Sequence, residues 1–213
     1  GLVRLIAPEP FDPAALRMIP NDALDLAVRS LNLQALFADL EAALPAIDPS
    51  FPAAFAQQLS ALRDDTGVDV QKDLVNTVGN VLVLYRAPQD GGDAMPPVLL
   101  VALKNPRAAG DLLRRMEAKW PPSAGGIVAF DTVHLPGGIV HVIRVGSARW
   151  AYAIAQDQLV LTEESSMPAV LRQVEAQSRA TPTGTITGSP AFATARAEFP
   201  SDLFTLTYTD SRR

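Results

Sequence analysis

The chain has no cysteine and only two histidines, aromatic residues make up 6 % of it, and no apolar run approaches the ~20 residues that a membrane helix needs. Without cysteine there are no disulfides, thiolate metal sites or thiol nucleophiles, and any tetrahedral zinc site must come from His, Asp and Glu alone. Like charges never cluster. Eighteen basic against twenty-three acidic residues leave a net charge of -5 and a pI near 5.0. A nucleic-acid binder needs a concentrated cationic face to displace counterions, so that class is excluded. No signal peptide is present; the chain begins at Gly1 rather than Met, and the expectation is a trimmed chain whose targeting segment was removed.

What is present is ordinary globular material. At 213 residues, 48 % hydrophobic and 19 % charged, the chain can bury roughly 70 % of its unfolded surface in one core. Two apolar runs, Val81 to Tyr85 and Val98 to Leu103, lack polar alternation and read as adjacent central strands buried on both faces. Upstream, Asp22 to Ser30 alternates with Leu24, Leu26 and Val28 on one side, a half-buried strand. Two amphipathic helices follow. One carries Leu33, Leu36, Phe37, Leu40 and Leu44; the other carries Phe51, Phe55, Leu59 and Leu62, with Pro45 and Pro49 between them.

A third helix opens at Pro106 and turns Ala109, Leu112, Leu113 and Met116 inward. Four short strands come next, Ile127 to Leu135, Ile139 to Val145, Arg149 to Ala155 and Gln158 to Thr162. Their connections are too short for crossover helices, so they form an antiparallel meander. A fourth helix spans Met167 to Gln177, capped by Ser165 or Ser166, and a short helix at Ala191 to Ala197 precedes a last strand, Leu203 to Thr209. The expected fold is α+β: a mainly antiparallel sheet of about seven or eight strands with four helices packed mostly on one face. Residues 1–18 form an N-terminal extended segment that includes a short strand or tail at Leu2 to Ile6, and residues 19–180 form the α+β domain. Residues 181–213 form a linker, short helix and final strand.

That last segment echoes an earlier one. Ile19-Pro20-Asn21-Asp22-Ala23-Leu24-Asp25-Leu26-Ala27-Val28 lies without gaps on Phe199-Pro200-Ser201-Asp202-Leu203-Phe204-Thr205-Leu206-Thr207-Tyr208, and the apolar face of the strand is kept. Two explanations stand. The final strand starts a second copy of the domain, or Pro-x-Asp before a strand is shared turn chemistry and the strand closes the same sheet.

Gly67-Val68-Asp69, Lys72-Asp73-Leu74, Val78-Gly79-Asn80-Val81 and Val98 to Leu103 followed by Lys104-Asn105-Pro106, with Pro20-x-Asp22 and Ser189-Pro190-x-Phe192, carry a resemblance. The chain resembles an uncharacterised bacterial family of unknown function, typically exported or membrane-anchored, with Asn105 standing where Asp is expected. The resemblance implies an extracytoplasmic α+β domain and transfers no activity and no functional residue.

The candidate chemistry is sparse. Asp69 and Asp73 can be read as a cation site, but the segment lacks calcium-loop spacing, and helix-end capping accounts for both. His134 and His141 are the metal candidates: with Gly137-Gly138 as a two-residue turn they sit directly opposite on one face, and Asp131 faces Arg144 on the other. Two imidazoles still need a third ligand, and a structural or solvent-exposed pair is the competing reading. Glu163-Glu164 points to opposite faces before a helix start, and Trp120 and Trp150 read as rim plugs. Nucleophile elbows and phosphate loops are missing, so no cofactor is expected.

The resulting expectation is a non-catalytic extracytoplasmic binding or scaffolding module with an unidentified protein or small-molecule partner, no nucleic acid and no transmembrane segment. The alternative is a hydrolase or metal-dependent enzyme using His134 and His141. A deep pocket in which either histidine meets a carboxylate would favour the enzyme; a broad exposed apolar patch would favour a partner surface.

Overall fold

A computed structural model describes residues 10–88, 94–119, 128–136, 138–179, 184–198 and 205–210. The strands are β1 (Asp25–Ser30), β2 (Val78–Arg86), β3 (Val98–Leu103), β4 (Val128–Leu135), β5 (Gly138–Val145), β6 (Ala148–Ala155), β7 (Gln158–Glu163) and β8 (Thr205–Thr209). They form one antiparallel sheet in the order β4-β5-β6-β7-β3-β2-β1-β8. The α+β reading therefore holds, with β2 and β3 adjacent in the interior of the sheet and the meander filling one half. The segments Leu2 to Ile6 and Trp120 lie outside the described residues.

Where four helices and a short one at Ala191 to Ala197 were expected, six α-helical segments occur among the described residues: α1 (Leu33–Ile47), α2 (Phe51–Thr66), the single turn α3 (Val75–Thr77), α4 (Pro106–Lys119), α5 (Met167–Ser178) and α6 (Pro190–Ala197). Nor do they gather on one face. α5 places Met167, Val170, Leu171 and Val174, an i, i+3, i+4, i+7 stripe, in one core with Leu26, Val28, Val83, Leu100, Val142 and Val160. Phe192 of α6 and Leu16 of the 3₁₀ helix Pro13–Met18 join the same core. We call this the core face. The opposite face is partly covered by α4, because the helical stripe of α4 and alternate residues of β3 to β7 are both apolar and each shields part of the other from water.

This division revises the reading of β2. Its core-side residues Val81, Val83 and Tyr85 are buried, but Leu84 on the other side is 42 % exposed because α4 covers β3 and the meander instead. At the start of β2 a register irregularity lies between Val78 and Leu82, and Gly79 permits it. A Cβ at Gly79 would stand 2.8 Å from the Ala102 carbonyl oxygen.

α1 and α2 pack together as an arm in which no residue is fully buried. Leu36, Ile47, Phe51 and Leu62 are exposed along it. Asn32 caps α1 through the Ala35 amide at 2.9 Å, and α1 runs through Pro45 rather than stopping before it. Gly67 ends α2 in the left-handed region at φ 74°, where its N–H donates to the Arg63 carbonyl at 2.7 Å. The arm is held to α4 by Arg115, which donates to the Gly67 carbonyl at 3.2 Å, and by Lys119 Nζ, which donates to the Asp64 carbonyl at 3.1 Å.

Candidate functional site

The most chemically distinctive place lies beneath α4. There a cavity of about 380 Å³ is lined by Leu99 and Val101 of β3, Leu159 and Leu161 of β7, and Ile143 and Val145 of β5. Phe130 and Val128 of β4 and Leu113 and Met116 of α4 complete its apolar wall. The side chains alternate along each strand, so these residues of β3, β7, β5 and β4, with Tyr152 of β6, face the slot while their chain neighbours turn to the core face. Val145, 43 % exposed, marks a rim open to solvent.

Only two lining residues, Glu117 and Tyr152, bear polar side-chain atoms. Glu117 follows Leu113 by one helical turn and so continues the inward stripe of α4. Its Oε1 accepts the hydroxyl proton of Tyr152 and lies 2.9 Å from Nδ1 of His141, at ion-pair distance but off the axis of a hydrogen bond. The His141 and Tyr152 rings stack with centroids 4.8 Å apart and planes 6° from parallel. The pairing of β5 with β6 sets them face to face, because His141 is directly opposite Tyr152. Burial raises the Tyr152 hydroxyl well above its ordinary range, and the hydrogen bond and charge of Glu117 raise it further. Tyr152 is therefore a permanent donor at neutral pH, and the Glu117 carboxylate is the acceptor that holds it.

The two histidines do not face each other. The β4–β5 pairing closes on Leu135↔Gly138, so each partner lies two residues from the place that a Gly137-Gly138 turn would give it. His141 is opposite Thr132, and His134 is opposite Ile139; they are diagonal neighbours on one face, and His134 is exposed. Proline pre-sets φ for the first turn position, which explains why the turn forms one residue earlier than at the glycine pair. Asp131 is opposite Val142 rather than Arg144, yet the two side chains still form an ion pair across the diagonal on the core face. Among the described residues no group of three His, Cys, Asp or Glu side chains is placed to hold a metal ion.

The remaining candidates are occupied structurally. Asp69 Oδ1 accepts from the Lys72 amide at 2.9 Å and the Asp69 amide donates to Asp73 Oδ2 at 2.9 Å, while Asp73 Oδ1 lies 3.1 Å from Arg115. Asn105 caps α4 through the Ala108 amide at 3.0 Å, as Asp would. Glu164 lies 3.2 Å from Arg149 beside Trp150, which is 38 % exposed. No helix among the described residues is long and apolar enough to cross a membrane. Comparison with family models, curated proteins and solved structures finds no match to this chain.

The Glu117–His141–Tyr152 cluster was missed from sequence because Glu117 was not counted with the inward stripe of α4. An acid one turn beyond Leu113, on the same face as Ala109 and Met116, was the available signal.

Proposed function

We propose that the protein is a non-catalytic extracytoplasmic binding module, and that the slot under α4 takes an apolar chain or side chain. The observation that carries this reading is the lining: ten apolar side chains enclose the space, and its two polar groups already satisfy each other. A ligand entering past Val145 would bury its apolar body against Val101, Leu161 and Phe130, at roughly 25 cal/mol per Å² covered. Placement outside the cytoplasm rests on the resemblance carried by Gly67-Val68-Asp69 and Lys104-Asn105-Pro106, and fractionation of source cells tests it.

The binding test is a fluorescence titration with N-phenylnaphthylamine, an uncharged apolar probe. Saturable enhancement is expected, with at least a tenfold loss of affinity in Val101→Trp, which fills the slot. Equal binding by the variant, or none by the wild type, would overturn the reading.

A second reading, hydrolysis, is favoured by one observation: His141 meets a carboxylate beside a cavity. Against it, no Ser, Thr, Cys or Lys lines the slot, and Tyr152 is held protonated. Release of p-nitrophenol from p-nitrophenyl butyrate separates the two. Turnover that disappears in His141→Gln would favour the enzyme; a rate equal to the buffer blank in both proteins would favour binding.

A further inference from the structure

The structure extends the echo between the two ends of the chain from sequence into three dimensions. Asp12 caps the helix Pro13–Met18 by accepting from the Ala14 amide at 2.8 Å, and Ile19-Pro20 then leads to β1. Ser189 caps α6 by accepting from the Phe192 amide at 3.5 Å, and Phe199-Pro200 then leads to β8. The same order of cap, proline, helix, proline and strand thus occurs twice, with the caps 177 residues apart and the strands 180, the second helix being the longer.

The two units are also symmetrically placed. β1 and β8 pair antiparallel with Ala27 opposite Thr207, its own counterpart in the echo. Asp25 is opposite Thr209 and Arg29 is opposite Thr205, so the outer positions exchange as a twofold axis requires. Leu16 and Phe192 both enter the core face. Two helices on one side of two antiparallel strands fit an axis normal to the sheet, whereas an axis in its plane would set them on opposite sides.

The symmetry breaks at one place. β1 has β2 on its far side, whereas among the described residues nothing pairs with the far side of β8. We propose that the outer edge of β8 is the seat for a β2-type strand from a second copy of this fold, and that β1–β8 is the twofold seam of a sheet running through both copies. The register follows from β1. There Leu26 is opposite Tyr85 and Val28 is opposite Val83. Transferred by the echo, Leu206 takes the incoming counterpart of Tyr85, and Tyr208 takes that of Val83. Main-chain hydrogen bonds then supply affinity, and the apolar side chains at alternate positions set the register.

A synthetic peptide with the β2 sequence, residues 78–86, tests this against the intact chain. Calorimetry is expected to show saturable binding, and amide exchange at residues 205–209 is expected to slow at least tenfold. The same peptide with Val83→Pro should not bind, a control that leaves the folding of the protein untouched. Absence of saturable binding would overturn the proposal, as would protection appearing at β4 instead of β8. Sedimentation of the chain alone as a dimer in which β8 cross-links to β8 of the second molecule, rather than to its β2, would overturn it too.

Discussion

On the core face, Met167, Val170, Val174 and Val160 are sealed to 0 % exposure, whereas on the slot face Leu113 and Met116 of α4 remain half-buried above strands of the same composition. Both helices carry an apolar stripe. The difference is in what surrounds them: α5 is flanked by Leu16, Ile186 and Phe192, which close its sides, whereas the slot flank of α4 stays open at Val145. Equal hydrophobicity thus yields a close-packed core on one side and an occupiable space on the other, because burial depends on neighbours as well as on the stripe.

Truncation tests that contrast most strongly. Met167→Ala is expected to cost about 3 kcal/mol in urea denaturation, because its cavity is closed on all sides. Met116→Ala should cost about 1 kcal/mol or less, since its surface is only half removed from water. Comparable losses would abolish the distinction between the faces. Gly79→Val is expected to cost about 2 kcal/mol by the same measurement, because the added atoms meet the backbone at Ala102 and cannot be relieved by a rotamer change.

The buried tyrosines offer a comparison by pH, one on each face. Tyr85 on the core face is raised by burial first and then by the charge of Asp22; Tyr152 on the slot face is raised by burial first and then by Glu117. The folded state therefore prefers both hydroxyls protonated. Their contribution to stability is fully present below the ordinary tyrosine value of 10.0 and is lost as pH rises above it. Melting temperature should fall above pH 10, less steeply in Tyr152→Phe; identical slopes would show that Glu117 and burial leave Tyr152 unperturbed. The smallest effect belongs to the loop between β6 and β7. There Gln156 and Asp157 both adopt positive φ, at 50° and 61°, in a two-residue turn. Gln156→Asn should stabilise by about 0.5 kcal/mol, since asparagine tolerates that region better.

Features encoded locally were legible in the sequence. Val81 to Tyr85 and Val98 to Leu103 announce interior strands by their unbroken apolarity, and the short links after Val145 and Ala155 allow only a meander. Features set by a choice between near-equal local options were not. Leu135-Pro136-Gly137-Gly138 accommodates two alternative turns, and the one that forms shifts the β4 partner of His141 by two residues, from His134 to Thr132. The contact between Glu117 and His141 joins a helix to a strand across the slot, and no periodicity within either element encodes it. Which face each helix covers was likewise hidden, because the stripes of α4 and α5 look alike until the sheet beneath them is ordered.

The arm made by α1 and α2 has a consequence for how the molecule comes apart. Since α2 is tied to α4 through Arg115 and Lys119, α1 is tied to the segment before β2 through Glu41 and Gln71, and neither helix buries a residue fully, heat or a protease should detach the arm while the eight strands stay paired. Brief trypsin treatment should first nick the chain after Arg63, leaving a cut but still folded body.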